Sequence, residues 1–212
     1  MSPRPRETTD AAILEATARA MSRVGPTRLT LAHVAKDLGI APATLVQRFG
    51  SKRGLMLALA REVYASVGDQ FAAIRTAHPT PLKAIYAVAD CMARMATTPE
   101  ELANNIAYLH IDLTDPDFHA VILDQSRATH AEIRTLLDEA VAAGELADCD
   151  TDRLAKLIGS LLGGSLLSWA IFREGTAAER LRSDLCTLLE PYRRVAGTKA
   201  SGRVGKQNRK RA

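Results

Sequence analysis

A chain of 212 residues with 47% hydrophobic composition and 25% charged residues has enough apolar surface for one large packed domain or two small ones. Aromatics make up only 4%, which argues against a single-strand nucleic-acid binder that stacks bases on aromatic platforms. The net charge of +4 conceals an asymmetry: residues 1–62 carry +5, residues 63–195 carry −7 and residues 196–212 carry +6. A basic head on an acidic body points to a polyanionic partner for the head.

In chain order, residues 1–7 read as a flexible lead, with no apolar segment behind Arg4 and Arg6 that would make a secretory leader. Thr8 or Thr9 can cap a first helix whose apolar face holds Ile13, Leu14, Thr17, Met21 and Val24, and Gly25-Pro26 stops it. Thr30 then caps a short helix with Leu31, Val34, Ala35 and Leu38 in one stripe. Gly39 suits the left-handed residue that ends it, and Pro42 suits the first position of the next helix. Leu45 and Phe49 face inward there, Gly50 terminates the helix, and Ser51 caps a longer one predicted over Lys52 to Arg75. Two short helices joined by a glycine-bearing turn, the second polar on its outer face, describe a helix-turn-helix; its second helix protrudes far enough to enter a major groove.

Past His78-Pro79-Thr80-Pro81 the pattern predicts helices over 81–96, 99–113, 116–143, 150–173 and 177–194, with no strand alternation and no repeat. The fold class is therefore all-α, with a head at 8–60, a helical body at 61–195 and a basic tail at 196–212 whose composition predicts disorder. That tail offers Lys199, Arg203, Lys206, Arg209, Lys210 and Arg211 to phosphates, or merely solubilises. The uncharged run Leu157 to Phe172 is shorter than the roughly 20 residues of a membrane span and is interrupted by glycines, so a buried helix and no membrane association are expected. Cys91, Cys149 and Cys186 are too scattered for a disulfide framework or a zinc site, which fits a reducing cytoplasm. His110, Asp112, His119 and His130 match no compact metal-ligand spacing, so neither metal nor other cofactor is expected. No nucleophile–base motif or glycine-rich phosphate loop appears, and an enzyme is not expected.

From Ile13 to Leu59 the residues Gly25, Leu29-Thr30-Leu31, Val34-Ala35, Leu38-Gly39-Ile40, Ala43-Thr44-Leu45, Phe49 and Ser51-Lys52 resemble the TetR family of tetracycline-repressor-like regulators. The resemblance implies a sequence-specific DNA-binding regulator, a homodimer on a palindromic duplex operator, typically a repressor released by a small-molecule effector. It makes the helix at 42–48 the recognition helix, with Pro42, Ala43, Thr44, Gln47 and Arg48 facing the groove and with Thr30 and Lys52 near phosphates. Chemistry agrees in part: Arg48 suits guanine, Gln47 suits adenine, and Thr44 reaches a base or a phosphate. Lys52 and Arg53 oppose the dipole of the helix they begin, a cost that a bound phosphate would reverse. Two residues depart from the family pattern. Val46 stands where a tyrosine is usual, and Ala41 removes a cap worth about 1 kcal/mol. They leave open a second reading, a ligand- or partner-binding dimer with weakened DNA specificity.

The same resemblance places a four-helix dimer interface in the last two helices, where Gly159, Gly163, Leu166, Leu185, Leu188 and Leu189 are the candidates. It also implies an effector pocket in the body, for which Met92, Met95, Tyr108, His110, Trp169 and Phe172 are the residues to check, although methionine and aromatic residues at helical spacing are as readily plain core.

Overall fold

The computed structural model describes residues 8–95 and 97–194, so the flexible lead expected at residues 1–7 and the basic tail expected at 196–212 lie outside the described residues. These residues form α1 (Asp10–Arg28), α2 (Leu31–Leu38), α3 (Pro42–Phe49), α4 (Lys52–Ala65), α5 (Val67–Ala77), α6 (Pro81–Ala93), α7 (Pro99–Thr114), α8 (Pro116–Ala142), α9 (Thr151–Phe172) and α10 (Ala177–Leu189). A single 3₁₀ turn, Glu190–Tyr192, follows. The expected all-α class holds among the described residues, apart from one isolated bridge between Leu146 and Arg193.

Local signals fix the head. Thr9 caps α1 through its hydroxyl, which accepts from the Ala12 N–H at 3.2 Å. Gly25, at φ +77°, interrupts α1 as expected; one further turn from Pro26 closes on the Gly25 carbonyl through the Leu29 N–H. At the end of α2, Gly39 adopts φ +65°, the Ile40 N–H returns to the Ala35 carbonyl, and the Gly39 N–H returns to that of Lys36. This paired closure satisfies carbonyls that a helix end would leave orphaned. It also sets the crossing angle at which α3 leaves α2. Leu45, fully buried, anchors α3 into a core of Ile13, Ala16, Ala20, Leu29, Val34, Leu55 and Leu59.

The helix expected from Lys52 to Arg75 is two helices. Ser66 folds its hydroxyl back onto the Val63 carbonyl at 2.8 Å and receives the Gln70 side-chain amide at 2.6 Å. Such back-bonding competes with the backbone ladder and bends the axis there.

The body has its own core, built on Ile85, Leu136, Leu137, Leu154, Ile158, Leu162, Leu181, Leu185 and Leu189. Head and body meet where α7 and the start of α8 pack on α1 and α4. Phe118 of α8 is buried in the head core rather than in its own, and Tyr108 of α7 meets its ring edge-on at 6.0 Å.

Candidate nucleic-acid interface and dimer face

On α3 the side chains of Pro42, Ala43, Val46 and Gln47 are exposed and Thr44 is half-buried, so the polar and small residues share the outward face opposite Leu45. Ala41 caps α3 with no side-chain bond, as its identity dictates. The first turn of α3 instead closes on backbone alone, with the Thr44 N–H donating to the Ala41 carbonyl at 3.0 Å.

The other candidates are already engaged. The Thr30 hydroxyl accepts from the His33 N–H and His33 Nδ1 accepts from the Thr30 N–H, a reciprocal cap that occupies the threonine locally. Arg48 has partners of its own within the protein. Its Nη1 donates to the Thr8 carbonyl and reaches the Asp10 carboxylate at 3.1 Å, which ties α3 to the start of α1. Lys52 donates to the Thr27 carbonyl at 3.2 Å, and so its charge lies at the C-terminal end of α1, where the dipole favours a cation. The expected conflict at the start of α4 is thus relieved inside the protein.

Arg53 is relieved likewise. It binds Asp115 through two nitrogens at 2.8 and 2.7 Å, reaches Asp117 at 2.7 Å, and lies 5.6 Å over the Phe118 ring. Its guanidinium lowers the Asp115 carboxyl below the usual range. Sequence spacing gives no sign of this pair, because 62 residues separate Arg53 from Asp115. Asn104 makes a second tie across the junction, its amide donating to the Ser22 carbonyl at 2.8 Å near the break in α1. A third residue at the junction is Asp112 on α7. It is 5% exposed, and burial without a compensating partner raises its carboxyl to about 6.

The six proposed pocket residues are not brought together. Trp169 is core and donates to the Gly175 carbonyl at 3.1 Å; Tyr108 belongs to the head–body junction. Met92 packs partly on the body core, whereas Met95, His110 and Phe172 are exposed. Aromatic and methionine content marked apolar burial in some of these positions and nothing in others. Among the described residues no three His, Cys, Asp or Glu side chains gather in a metal-binding group; His130 instead faces Asp152 at 2.9 Å.

The dimer candidates divide into two sets. Leu166, Leu185 and Leu189 are buried in the protomer's own core, and Leu188 packs partly against it, so intramolecular packing accounts for these four. Gly159 and Gly163 are exposed with open space where a Cβ would stand. Beside them on α9, Leu157, Leu167 and Ile171 are 44%, 49% and 66% exposed. Together with Ser160 and Gly164 they recur at alternating steps of three and four, the 3.5-residue period of a helix–helix seam. Helix α9 is long and apolar enough by length and composition to cross a membrane. Its inner face, however, from Leu154 through Ile158 and Leu162 to Trp169, packs in the body core.

Residues 13–59 match the family model described as bacterial regulatory proteins, tetR family. A comparison with curated protein sequences gives no match. Among solved structures, a putative transcriptional regulator from Saccharomonospora viridis in complex with choline is similar at TM-score 0.71 and 19% identity, over 85% of this chain and 95% of that one. A putative TetR-family regulator from Rhodococcus sp. is similar at TM-score 0.63 and 20% identity, over 85% and 97%. The reduced form of NemR from E. coli is similar at TM-score 0.68 and 16% identity, over 85% and 95%.

Proposed function

We propose that this chain, whose residues 13–59 match the tetR-family model, is a DNA-binding regulator of that family that acts as a homodimer on a palindromic operator and is released by a small molecule. The observation that carries the DNA reading is the outward face of α3, which presents Pro42, Ala43, Thr44, Val46 and Gln47 on a helix held rigidly by Leu45 and the Gly39 turn. The domain division at 8–60 and 61–195 is part of the proposal, and the two separate cores support it. Cytoplasmic residence follows from the partner proposed.

In-vitro selection on random duplexes tests the reading. A palindromic consensus is expected, with half-sites about one helical turn apart. Gln47→Ala should relax one position of each half-site and weaken binding by about 1–3 kcal/mol per protomer. Gln47 is the better probe than Arg48, whose loss would also free the start of α1. Weak, unselective, salt-sensitive binding would instead favour the second reading, a helical dimer that has lost sequence recognition.

The α9 seam is proposed as the dimer face. Its glycines answer to nothing among the described residues, and a partner helix approaching closely would explain them. Leu167→Glu with Ile171→Glu should yield a folded monomer by sedimentation and abolish tight operator binding, since both side chains are exposed and neither supports the core. A dimer that persists in this variant moves the interface elsewhere.

For the effector, the choline bound by the Saccharomonospora viridis protein supports a small-molecule ligand in this fold. Release from DNA would run through the junction. The ligand shifts α7 and α8, and Arg53–Asp115, Asn104–Ser22 and Phe118 carry the shift into α4 and α1. The ligand must prefer one pose, typically by about 1–3 kcal/mol.

A further inference from the structure

We propose that Asp112 anchors an organic cation: an ammonium group meets its carboxylate, and the apolar remainder of the molecule lies on the exposed aliphatic side chains beside it on α7. The proposal rests on the small-molecule release set out above and names the class of molecule that causes it.

A carboxylate inside a protein ordinarily has a cation or several donors around it. Asp112 is 5% exposed and has neither among the described residues. The groups at the junction that could serve are engaged elsewhere. Tyr108, one turn earlier, donates its hydroxyl to the Met56 carbonyl at 3.5 Å. Arg53 is held by Asp115 and Asp117. A carboxyl raised to about 6 is still mostly ionised at neutral pH, so the site presents a negative charge that nothing meets. Its oxygens are not sealed, however. Among the described residues, the sealed polar side-chain atoms without a partner are two nitrogens of Arg75. The Asp112 carboxylate is therefore reached from solvent through a small opening, rather than shut in a dry core.

The surroundings select the kind of cation. A hard metal ion wants about six oxygen ligands, and no three His, Cys, Asp or Glu side chains gather among the described residues. Leu109 stands three residues before Asp112, which makes the two neighbours on the helix surface. Leu109 is exposed, and so are Ile106 and Leu113, three residues before it and four after it. They form an apolar stripe along α7 with the acid at its edge. An amphipathic ammonium ion satisfies both features, since it neutralises the carboxylate and covers the stripe. The location suits a signal to DNA. Tyr108 and Ile111 of the same helix pack against the head core, and Asn104 donates to the Ser22 carbonyl of α1. An ion seated on Asp112 thus acts on the helix that carries the body onto the head.

The test is calorimetric titration of the full chain with hexylammonium, hexanol and hexanoate at neutral pH, repeated with Asp112→Asn and Asp112→Glu. The wild type should bind hexylammonium about tenfold more tightly than hexanol, and should not bind hexanoate. Asp112→Asn should bind the ammonium and the alcohol alike, whereas Asp112→Glu should keep the preference. Added hexylammonium should weaken operator binding by the wild type and have no effect on operator binding by Asp112→Asn. Equal binding of ammonium and alcohol by the wild type, an undiminished preference in Asp112→Asn, or no binding of the ammonium at all overturns the site. Binding through Asp112 that leaves operator affinity untouched overturns the release reading while the cation site stands.

Discussion

Asp112→Asn should raise the melting temperature by about 5–10 °C at pH 8 and leave it unchanged at pH 4. Asp112 is 5% exposed at the junction of head and body, and no donor among the described residues compensates its carboxylate. Burial alone lifts it from an ordinary 3.8 to about 6, so the folded protein binds this proton more tightly than the unfolded chain does. The folded state is therefore favoured with the carboxyl neutral. The advantage is complete below pH 4, fades as pH rises through 6, and is absent above it. Each tenfold change in proton affinity is worth about 1.4 kcal/mol, so the ionised carboxylate costs the fold about 2–3 kcal/mol at pH 8. A neutral amide of the same shape removes that cost. For a chain of this size, 1 kcal/mol moves the midpoint by about 2–4 °C, which gives the expected shift. Other groups contribute alike to the pH dependence of both proteins, so the quantity to follow is the difference between wild type and variant across pH. A difference that stays flat from pH 4 to pH 8 would show that the carboxylate is compensated in the folded protein.

The cost has a structural address. Tyr108 lies one turn before Asp112, and burial together with that carboxylate raises its phenol. Arg53, the cation that α4 brings to this junction, is committed to Asp115 and Asp117. The acid thus lies in the wall that joins α7 to the head, among the groups through which the body would move α4.

The head was legible because its determinants are local. Thr30, Gly39, Pro42, Gly50 and Ser51 each answer a demand of the backbone within four residues, and the structure places them at those caps and turns. The body was legible only as a set of helices. Periodicity told which residues of α9 and α10 share a face, but a face can be covered by the same chain or by another. Leu166, Leu185 and Leu189 are covered by their own protomer, and the seam of Leu157, Leu167 and Ile171 is the part left over. The proposed pocket residues are dispersed for a related reason: side-chain type says what suits a cavity, not where one lies. Pairs such as Arg53–Asp115 and Asn104–Ser22 depend on the docking of two domains and leave no trace in local spacing. The contacts of Arg48 leave no local signal either, because its partners, Thr8 and Asp10, lie some 40 and 38 residues earlier in the chain.

Gly54→Ala should damage operator binding at least tenfold while helix content and dimer remain. Gly54 is in the first turn of α4, where alanine would by propensity alone stabilise the helix by about 1 kcal/mol. A Cβ at that position, however, would stand 2.1 Å from the Phe49 carbonyl oxygen. That oxygen is backbone, and it already accepts the Ser51 N–H at 2.8 Å, so no side-chain rotation relieves the overlap. Either the last turn of α3 or the first turn of α4 must move. Overpacking of this kind costs about 1–3 kcal/mol, which outweighs the propensity gain. The larger consequence is geometric, because the displaced element is the end of the proposed recognition helix, and groove contacts tolerate little misplacement. Gly68→Ala in α5 supplies the contrast. That glycine is helical with nothing within 4 Å of its missing Cβ, so alanine there should stabilise by about 0.5–1 kcal/mol and leave DNA binding alone. If the two variants behaved alike, the close approach of Phe49 to Gly54 would carry no weight in holding α3. If they separate as expected, the glycine after Ser51-Lys52-Arg53 is a spacer that lets the recognition helix lie directly on the helix linking it to the body.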